Sequence, residues 1–251
     1  MSPSASTQDL AVHLTALPDR EVAALLVARP DLAAPPSSSF LALATRAGAP
    51  GSIEHTLAGL DAPTLAVAEA VVALSGPTES EETEGVGGTQ TAEGDGSDGT
   101  VQSKGEPANP VGADLAGLVA AHLPLPAEQV AEALEHLGRL ALVIEGRPVA
   151  ALEAAFGPHP FGLGPWAAEP LSTEQLPPTL EELSEDAAGE PVVPAASVEM
   201  LQALTWGPPA GTLRSGGRAP GAAPLIERGW LERSSDAHGR TRFILPRQVA
   251  L

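Results

Sequence analysis

Short apolar patterns with helical spacing dominate the first 76 residues of the chain. Between Asp19 and Pro30, apolar residues recur at intervals of three and four residues, which predicts a short helix with one apolar face that ends at the proline. Residues 1–61 therefore form a predicted N-terminal helical segment. Three more short helices are predicted, over about 40–47, from an N-cap at Ser52, and from Pro63 to about Gly76.

The pattern changes after residue 112 from helices to a predicted hairpin. Helices are predicted over about 113–122 and after Pro126, and the apolar run at 141–152 contains a turn at Gly146, which predicts two short strands. Helix, turn, helix and hairpin is the order of a winged helix, with 62–74 available as the first helix. The sequence therefore predicts a winged-helix-like domain over residues 62–155.

Residues 78–110 interrupt this predicted domain with a low-complexity acidic stretch built mostly from Thr, Glu, Ser, Gly and Asp. Such a composition cannot bury enough apolar surface to offset the entropy of ordering the chain. We therefore expect a disordered acidic insert. It can be interpreted as a solvated tether, as a mimic of nucleic-acid charge, or as an expanded surface loop without a function of its own.

The last hundred residues are cut by many prolines and glycines. Residues 156–194 are a predicted Pro/Gly-rich bridging segment with one short acidic helix at 180–186. Residues 195–251 predict a second, reduced winged-helix-like unit. Its predicted parts are a helix capped by Ser197, a helix ending near Gly229, and a hairpin that pairs 230–233 with 241–245. The predicted fold class is mainly α with short β-hairpins, as tandem winged-helix-like units plus an N-terminal helical segment.

Composition limits the size of the cores and the cellular location. Hydrophobic residues make up 43% of the 251 residues but aromatic residues only 3%, so Ala, Leu and Val must form small helical cores. The chain contains no cysteine, which excludes disulfides and thiolate metal sites and favours the cytosol. No apolar run is long enough for a membrane span. We expect a soluble, cytoplasmic protein, nucleoid-associated if DNA is its partner.

The residues that enzymes use are missing or scattered. The only lysine, Lys104, lies outside any Gly-rich phosphate-binding loop, which excludes the nucleotide-binding motif of a motor. No G-x-S-x-G motif occurs, and the six histidines have no metal-ligand spacing. Glu132 and Glu135 share the polar face of their predicted helix, so solvent exposure is expected. The sequence therefore predicts no catalytic residue, metal site, cofactor or small-molecule ligand, and no enzyme.

Charge is distributed unevenly along the chain. The formal net charge is -19, which would repel a nucleic-acid backbone, but residues 206–251 hold seven arginines against three acidic residues. Arginine at a wing tip suits contacts with phosphates or the minor groove. Ion pairs of the hairpin arginines with Glu232 and Asp236 are the alternative. The candidate nucleic-acid-binding residues are Arg233, Arg240 and Arg242 on the predicted hairpin, and Arg214 and Arg218 on the loop before it.

The first predicted unit has the opposite charge. Its second helix, in the position of a recognition helix, presents Glu128, Glu132 and Glu135 but only one arginine, Arg139. A helix that reads bases usually presents Arg, Lys, Asn or Gln instead. Protein contacts are therefore the alternative function, with the chain as an adaptor that uses the acidic winged helix and the Pro-rich bridge. An apolar patch left uncovered at Phe156, Phe161 and Trp166 would favour this alternative.

A set of short segments rich in Ala, Leu and Pro also carries a family resemblance. In order, they are Leu17-Pro18-Asp19, residues 25–36, Leu142-Val143, residues 155–160, Gly162-Leu163-Gly164, Trp206-Gly207-Pro208-Pro209-Ala210-Gly211 and residues 245–251. This order resembles the N-terminal portion of actinobacterial helicase-associated proteins, which are related to the XPB-type helicase. The resemblance covers nearly the whole chain except the acidic insert.

The resemblance implies a winged-helix-containing accessory module that associates with double-stranded DNA and lacks motor motifs of its own. It transfers no catalytic residue to this chain. Members of that family are much longer, so we expect the sequence to be part of a longer protein. A helicase activity would need an ATPase from another chain or from further sequence.

Overall fold

The computed structural model describes residues 4–76, 111–168, 171–178, 183, 192–213, 219–235 and 239–251. Within these ranges the chain is mainly helical, with two small antiparallel sheets, so the predicted class of helices with short hairpins is confirmed. The acidic insert 78–110, the acidic helix predicted at 180–186 apart from the buried Leu183, and Arg214 and Arg218 lie outside the described residues.

Nine α-helices and one hairpin form the N-terminal part of the described chain. The helices are α1 (Thr7–Ala16), α2 (Asp19–Ala28), α3 (Pro30–Ala33), α4 (Phe40–Ala47), α5 (Pro50–Ala58), α6 (Ala62–Leu74), α7 (Val111–His122), α8 (Ala127–Arg139) and α9 (Ala150–Phe156). The strands are β1 (Val143–Ile144) and β2 (Arg147–Pro148). Their buried side chains form one cluster that runs from Ala5 to Leu152 and joins the predicted segments 1–61 and 62–155 in a single core.

Three sequence predictions in this part need correction. Helix α1 was not predicted, although its N-terminus carries a capping box in which Ser6 and Asp9 bond each other's backbone amides. Ser52 does not cap α5, which begins at Pro50, because its hydroxyl donates to Asp31 instead. The apolar run at 141–152 forms strands of only two residues each, and residues 150–156 continue as helix α9.

The β1–β2 hairpin is extended on one side by the N-terminal segment. The amide of Ala5 donates to the carbonyl of Pro148 over 2.8 Å, and the amide of Ala150 donates to the carbonyl of Ala5 over 2.9 Å. These two bonds form a parallel bridge, and Ala5 is buried by it. The short hairpin therefore gains a neighbour that covers one of its edges.

The hairpin turn stores backbone strain at Glu145. Ile144 pairs with Arg147, so Glu145 and Gly146 form a two-residue loop, and both have positive φ angles, 50° and 74°. This is the type I′ geometry, which favours Asn or Asp followed by Gly and costs other side chains energy. Glu145 makes a 3.4 Å ion pair with Arg147. Because the Glu145 side chain is exposed, this pair contributes little to stability.

We expect Glu145→Asn to raise the free energy of unfolding by about 1 kcal/mol, because asparagine tolerates the left-handed conformation better. Urea unfolding measures the change. Glu145→Gln is the control, since it removes the same charge without relieving the backbone. Equal stability of the two variants would contradict the strain argument.

Three α-helices and a three-stranded sheet form the C-terminal part among the residues that the structure describes. The helices are α10 (Ala195–Trp206), α11 (Ala222–Glu227) and α12 (Arg247–Ala250), and the strands are β3 (Ala210–Thr212), β4 (Glu232–Ser235) and β5 (Thr241–Ile244). The sheet order is β3-β5-β4, with both pairs antiparallel. The predicted hairpin is thus confirmed, but its first strand is Glu232–Ser235 instead of the predicted 230–233, and the strand β3 was not predicted. A second buried cluster, centred on Leu225, Leu231 and Phe243, packs beneath this sheet.

Ser197 has a different role from the one predicted. Helix α10 begins at Ala195, with Pro194 as the N-cap, so Ser197 lies inside the first turn. Its side chain is fully buried, and its hydroxyl donates to the carbonyl of Gly221 over 2.9 Å. The serine therefore ties α10 to the start of α11 instead of capping its own helix.

Helices α8 and α11 end in the same way before their hairpins. After α11, the amide of Trp230 donates to the carbonyl of Leu225 over 2.9 Å, and Gly229 is left-handed with φ of 73°. After α8, the amide of Leu142 donates to the carbonyl of Leu137 over 3.0 Å, and Ala141 has φ of 55°. Both are Schellman caps. The predicted end of the helix near Gly229 is confirmed.

Candidate nucleic-acid interface

The three described candidate arginines lie on or beside the β4–β5 hairpin. Arg233 is on β4, Arg242 is on β5, and Arg240 immediately precedes β5 after the left-handed Gly239. All three are exposed. The hairpin therefore carries its guanidinium groups at the surface, as a contact with a polyanion requires.

Strand register places Arg233 and Arg242 on opposite faces of the hairpin. Phe243 is buried against the helices, and its partner across the ladder is Arg233, so these two side chains share a face. Arg242 is the next residue along the strand, and it pairs with Ser234 on one side and Thr212 on the other. Arg242 therefore lies on the outer face of the hairpin, whereas Arg233 shares the face of Phe243 but remains exposed because β4 is an edge strand of the sheet.

Glu232 does not neutralise Arg233 or Arg242. Glu232 accepts a hydrogen bond from the amide of Ala168 over 2.8 Å, so its carboxylate is directed toward the bridging segment. Among the described residues, no carboxylate lies within 4.0 Å of Arg233 or Arg242. Arg240 interacts with a neighbouring group. Asp236, the other acidic residue considered, lies outside the described ranges.

Arg247 belongs to the predicted cationic end of the chain but is withdrawn into the protein, with only 6% of its surface exposed. Its guanidinium donates to the carbonyls of Gly164, Ala73 and Pro158 over 3.0, 3.2 and 3.3 Å, and stacks 5.6 Å from the centre of the Trp166 ring. Burial lowers the pKa of Arg247, and Glu153 opposes that shift. This arginine therefore fixes the C-terminal part against the N-terminal core.

Arg228 is also engaged within the protein. It lies 5.6 Å from the centre of the Trp230 ring and donates to the carbonyls of Pro224 and Val192, each over 3.2 Å. Its side chain is nevertheless exposed, so Arg228 keeps its positive charge at the surface, whereas Arg247 does not. The sequence count of seven arginines therefore overstates the cationic surface.

Trp206 is an exposed aromatic residue that the sequence analysis does not include among the candidate binding residues. It ends α10 and is 84% exposed, far more than the other two tryptophans. The helical spacing predicts the exposure of Trp206, because the buried face of α10 is formed by Val198, Leu201 and Leu204 and Trp206 lies on a different face. An exposed aromatic ring suits stacking on a nucleobase or packing against a partner.

The apolar patch that would favour protein docking is largely covered. Phe156 is half-buried and packs against the N-terminal core, while Trp166 is half-buried beneath Arg247. Only Phe161 of the three is exposed, at 46%. The Pro-rich bridge itself is held down, since the amides of Ala167 and Phe161 donate to Gln248 and Glu69 over 2.7 and 2.6 Å.

The acidic face of α8 is where the sequence placed it. Glu128, Glu132 and Glu135 are exposed, whereas Val130 and Leu137 on the opposite side are fully buried. The predicted solvent exposure of Glu132 and Glu135 is therefore confirmed. Arg139 is exposed at the end of the same helix, 3.4 Å from the Nδ1 atom of His136.

The described residues offer neither a metal-binding cluster nor a membrane-spanning helix. In the part of the chain that the structure covers, no three His, Asp or Glu side chains are grouped so that they could hold a metal ion. No helix among the residues described has the length and apolarity to cross a membrane. Comparisons with protein-family models, curated proteins and solved structures find no match for this chain.

Proposed function

We propose that this chain binds double-stranded DNA through the β4–β5 hairpin of its C-terminal part, as an accessory module without a motor of its own. The observation that carries the proposal is the pair of exposed arginines, Arg233 and Arg242, on opposite faces of one hairpin without a described carboxylate partner. Arg242 projects from the outer face, and Arg233 lies on the edge strand β4, where its side chain is exposed, so both guanidinium groups are accessible to phosphates.

The connectivity around the hairpin supports this proposal. Helix α10, strand β3, helix α11 and the β4–β5 hairpin follow one another, and β3 pairs with β5 at the centre of the sheet. We interpret this as a winged helix with one helix fewer than usual, in which β4–β5 is the wing. The first unit, with α6, α7, α8 and the β1–β2 hairpin, is interpreted in the same way, but its acidic α8 face does not suit DNA.

Electrostatics sets the expected strength of binding. With a formal charge of -19, most of the molecule repels DNA, and the hairpin supplies local attraction only. If Arg233, Arg240 and Arg242 each neutralise one phosphate, the logarithm of the binding constant falls against the logarithm of salt with a slope of about -3. We therefore expect weak binding that is measurable at low salt.

Replacing both Arg233 and Arg242 with alanine is expected to make that slope less steep by about 2. Fluorescence anisotropy with a labelled duplex at several salt concentrations measures it. The double variant Arg20→Ala/Arg139→Ala is the matched control, because it removes two exposed arginines from other elements. Equal losses in the two variants, or no duplex binding at low salt, would overturn the proposal.

The helicase-associated role remains the context that the family resemblance suggests for this module. In that context, ATP turnover would come from another chain or from further sequence. A protein-interaction adaptor is the second candidate, favoured by the exposed carboxylates of α8 and disfavoured by the coverage of Phe156 and Trp166.

A further inference from the structure

A groove of about 620 Å³ lies between α2 and α8, beside the end of α1. Its floor is apolar and is formed by Leu25, Leu140, Val143 and Ile144, all of which are buried. The groove lies on the N-terminal part, on elements that the proposed DNA contact does not use. Its occupant is therefore a separate question.

Small side chains on α2 keep this groove open. Glu21, Ala24, Leu25 and Ala28 follow one another at helical spacing and line one wall. Ala24 and Ala28 are exposed, and neither fills the space above Leu25. The opposite wall is the end of α8 and its Schellman cap, which includes Ala141.

Carboxylates surround this apolar floor. Glu21, Glu135 and Glu145 are exposed on the rim, and Arg139 is the only lysine or arginine among the lining residues. His13 and His136 also line the groove. Glu21 pairs with the exposed Arg20 at 3.6 Å, and the exposed Glu145 pairs with the half-buried Arg147 at 3.4 Å. Ion pairs with at least one solvent-exposed partner contribute little, so a ligand cation can replace them.

We propose that the groove binds a basic amphipathic helix of a partner protein. The wall from Glu21 to Ala28 covers two helical turns, about 10 Å, which matches apolar anchors at positions i, i+3 or i+4, and i+7 of a bound helix. The anchors occupy the apolar floor, and lysines or arginines beside them meet the rim carboxylates. Charge complementarity selects a basic helix over an acidic one.

The probe for this proposal is a short synthetic helical peptide with leucines on one face and lysines on the other. Binding to the full chain is followed by anisotropy of a labelled peptide, and the site by amide NMR shifts. Ala24→Trp fills the groove without changing its charge, and it is expected to weaken binding about tenfold or more. Urea unfolding of the variant verifies that the exposed substitution leaves the fold intact.

Two triple variants that remove the same number of carboxylates distinguish peptide binding by the groove from general attraction of the peptide to an acidic protein. Glu21→Gln/Glu135→Gln/Glu145→Gln is expected to weaken peptide binding about tenfold, and Glu54→Gln/Glu128→Gln/Glu199→Gln, also exposed, less than about threefold. Equal weakening by both triples, or full binding by Ala24→Trp, would show diffuse attraction and overturn the proposal. Groove shifts with benzyltrimethylammonium but none with the peptide would overturn it in favour of a small organic cation.

Discussion

Replacing Arg29 with alanine is expected to lower the free energy of unfolding by about 3–5 kcal/mol. Arg29 is the largest fully buried side chain of the N-terminal core, with 2% of its surface exposed. Its guanidinium donates to the carbonyls of Leu140 and Ala47 over 3.1 and 2.9 Å and to the hydroxyl of Ser52 over 2.7 Å. Alanine would leave these buried acceptors without a donor.

The position of Arg29 explains why the loss is large. Ala47 is the last residue of α4 and Leu140 caps α8, so the guanidinium satisfies carbonyls at two helix C-termini, where the helix dipoles favour a cation. Burial lowers the pKa of Arg29, while Asp31, 4.0 Å away, opposes that shift, and the side chain stays charged near neutral pH.

Chemical denaturation followed by circular dichroism measures the Arg29 effect. Arg29→Lys tests the fork geometry, because lysine keeps the charge but cannot reach several acceptors in one plane, and it is expected to recover only part of the stability. Arg20→Ala, on the exposed surface of α2, is the control and is expected to change stability by less than about 0.5 kcal/mol. A loss below about 1 kcal/mol for Arg29→Ala would contradict the account.

Replacing Arg247 with alanine is expected to cost about 2–4 kcal/mol and to loosen the C-terminal part from the N-terminal core. The carbonyl of Ala73 belongs to α6, whereas those of Pro158 and Gly164 belong to the bridging segment, so one side chain holds three separate parts of the chain. Without it, the two parts should unfold in separate steps. Tryptophan fluorescence reports the C-terminal step, because Trp166, Trp206 and Trp230 all lie outside the N-terminal core.

Arg228→Ala is the matched control for this prediction. Arg228 lies over Trp230 at the same 5.6 Å distance as Arg247 over Trp166, but it is exposed. Its removal is expected to cost less than about 1 kcal/mol and to leave a single transition. If the two variants behaved alike, burial would not be the source of the Arg247 contribution.

Much of the helical part could be predicted from the sequence because local signals agree with the fold. Proline and glycine mark the ends of α2, α4 and α6 closely, and the apolar spacing of α8 identifies its buried face. Helix α1 was missed because it follows a capping box that was not considered. Strand β3 was missed because Ala210-Gly211-Thr212 has no apolar alternation, and only pairing with β5 makes it a strand.

The candidate interface depends more on tertiary contacts. Alternation along β4 and β5 predicts which face each arginine takes once the register is known, but the register itself comes from the folded sheet. The burial of Arg247 and Arg29 has no local signal, since arginine is rarely fully buried and both depend on carbonyls that are distant in sequence. Ser52 and Ser197 were misassigned for the same reason.

The burial of Arg29 and Arg247 affects how the protein surface meets a charged ligand. These two guanidinium groups belong to a set of only 13 lysines and arginines, so fewer cationic side chains are exposed for direct contact than composition suggests. If the β4–β5 hairpin contacts DNA as proposed, a polyanion is expected to be repelled from most directions and attracted only near that hairpin. This orienting effect is expected to become stronger as ionic strength falls.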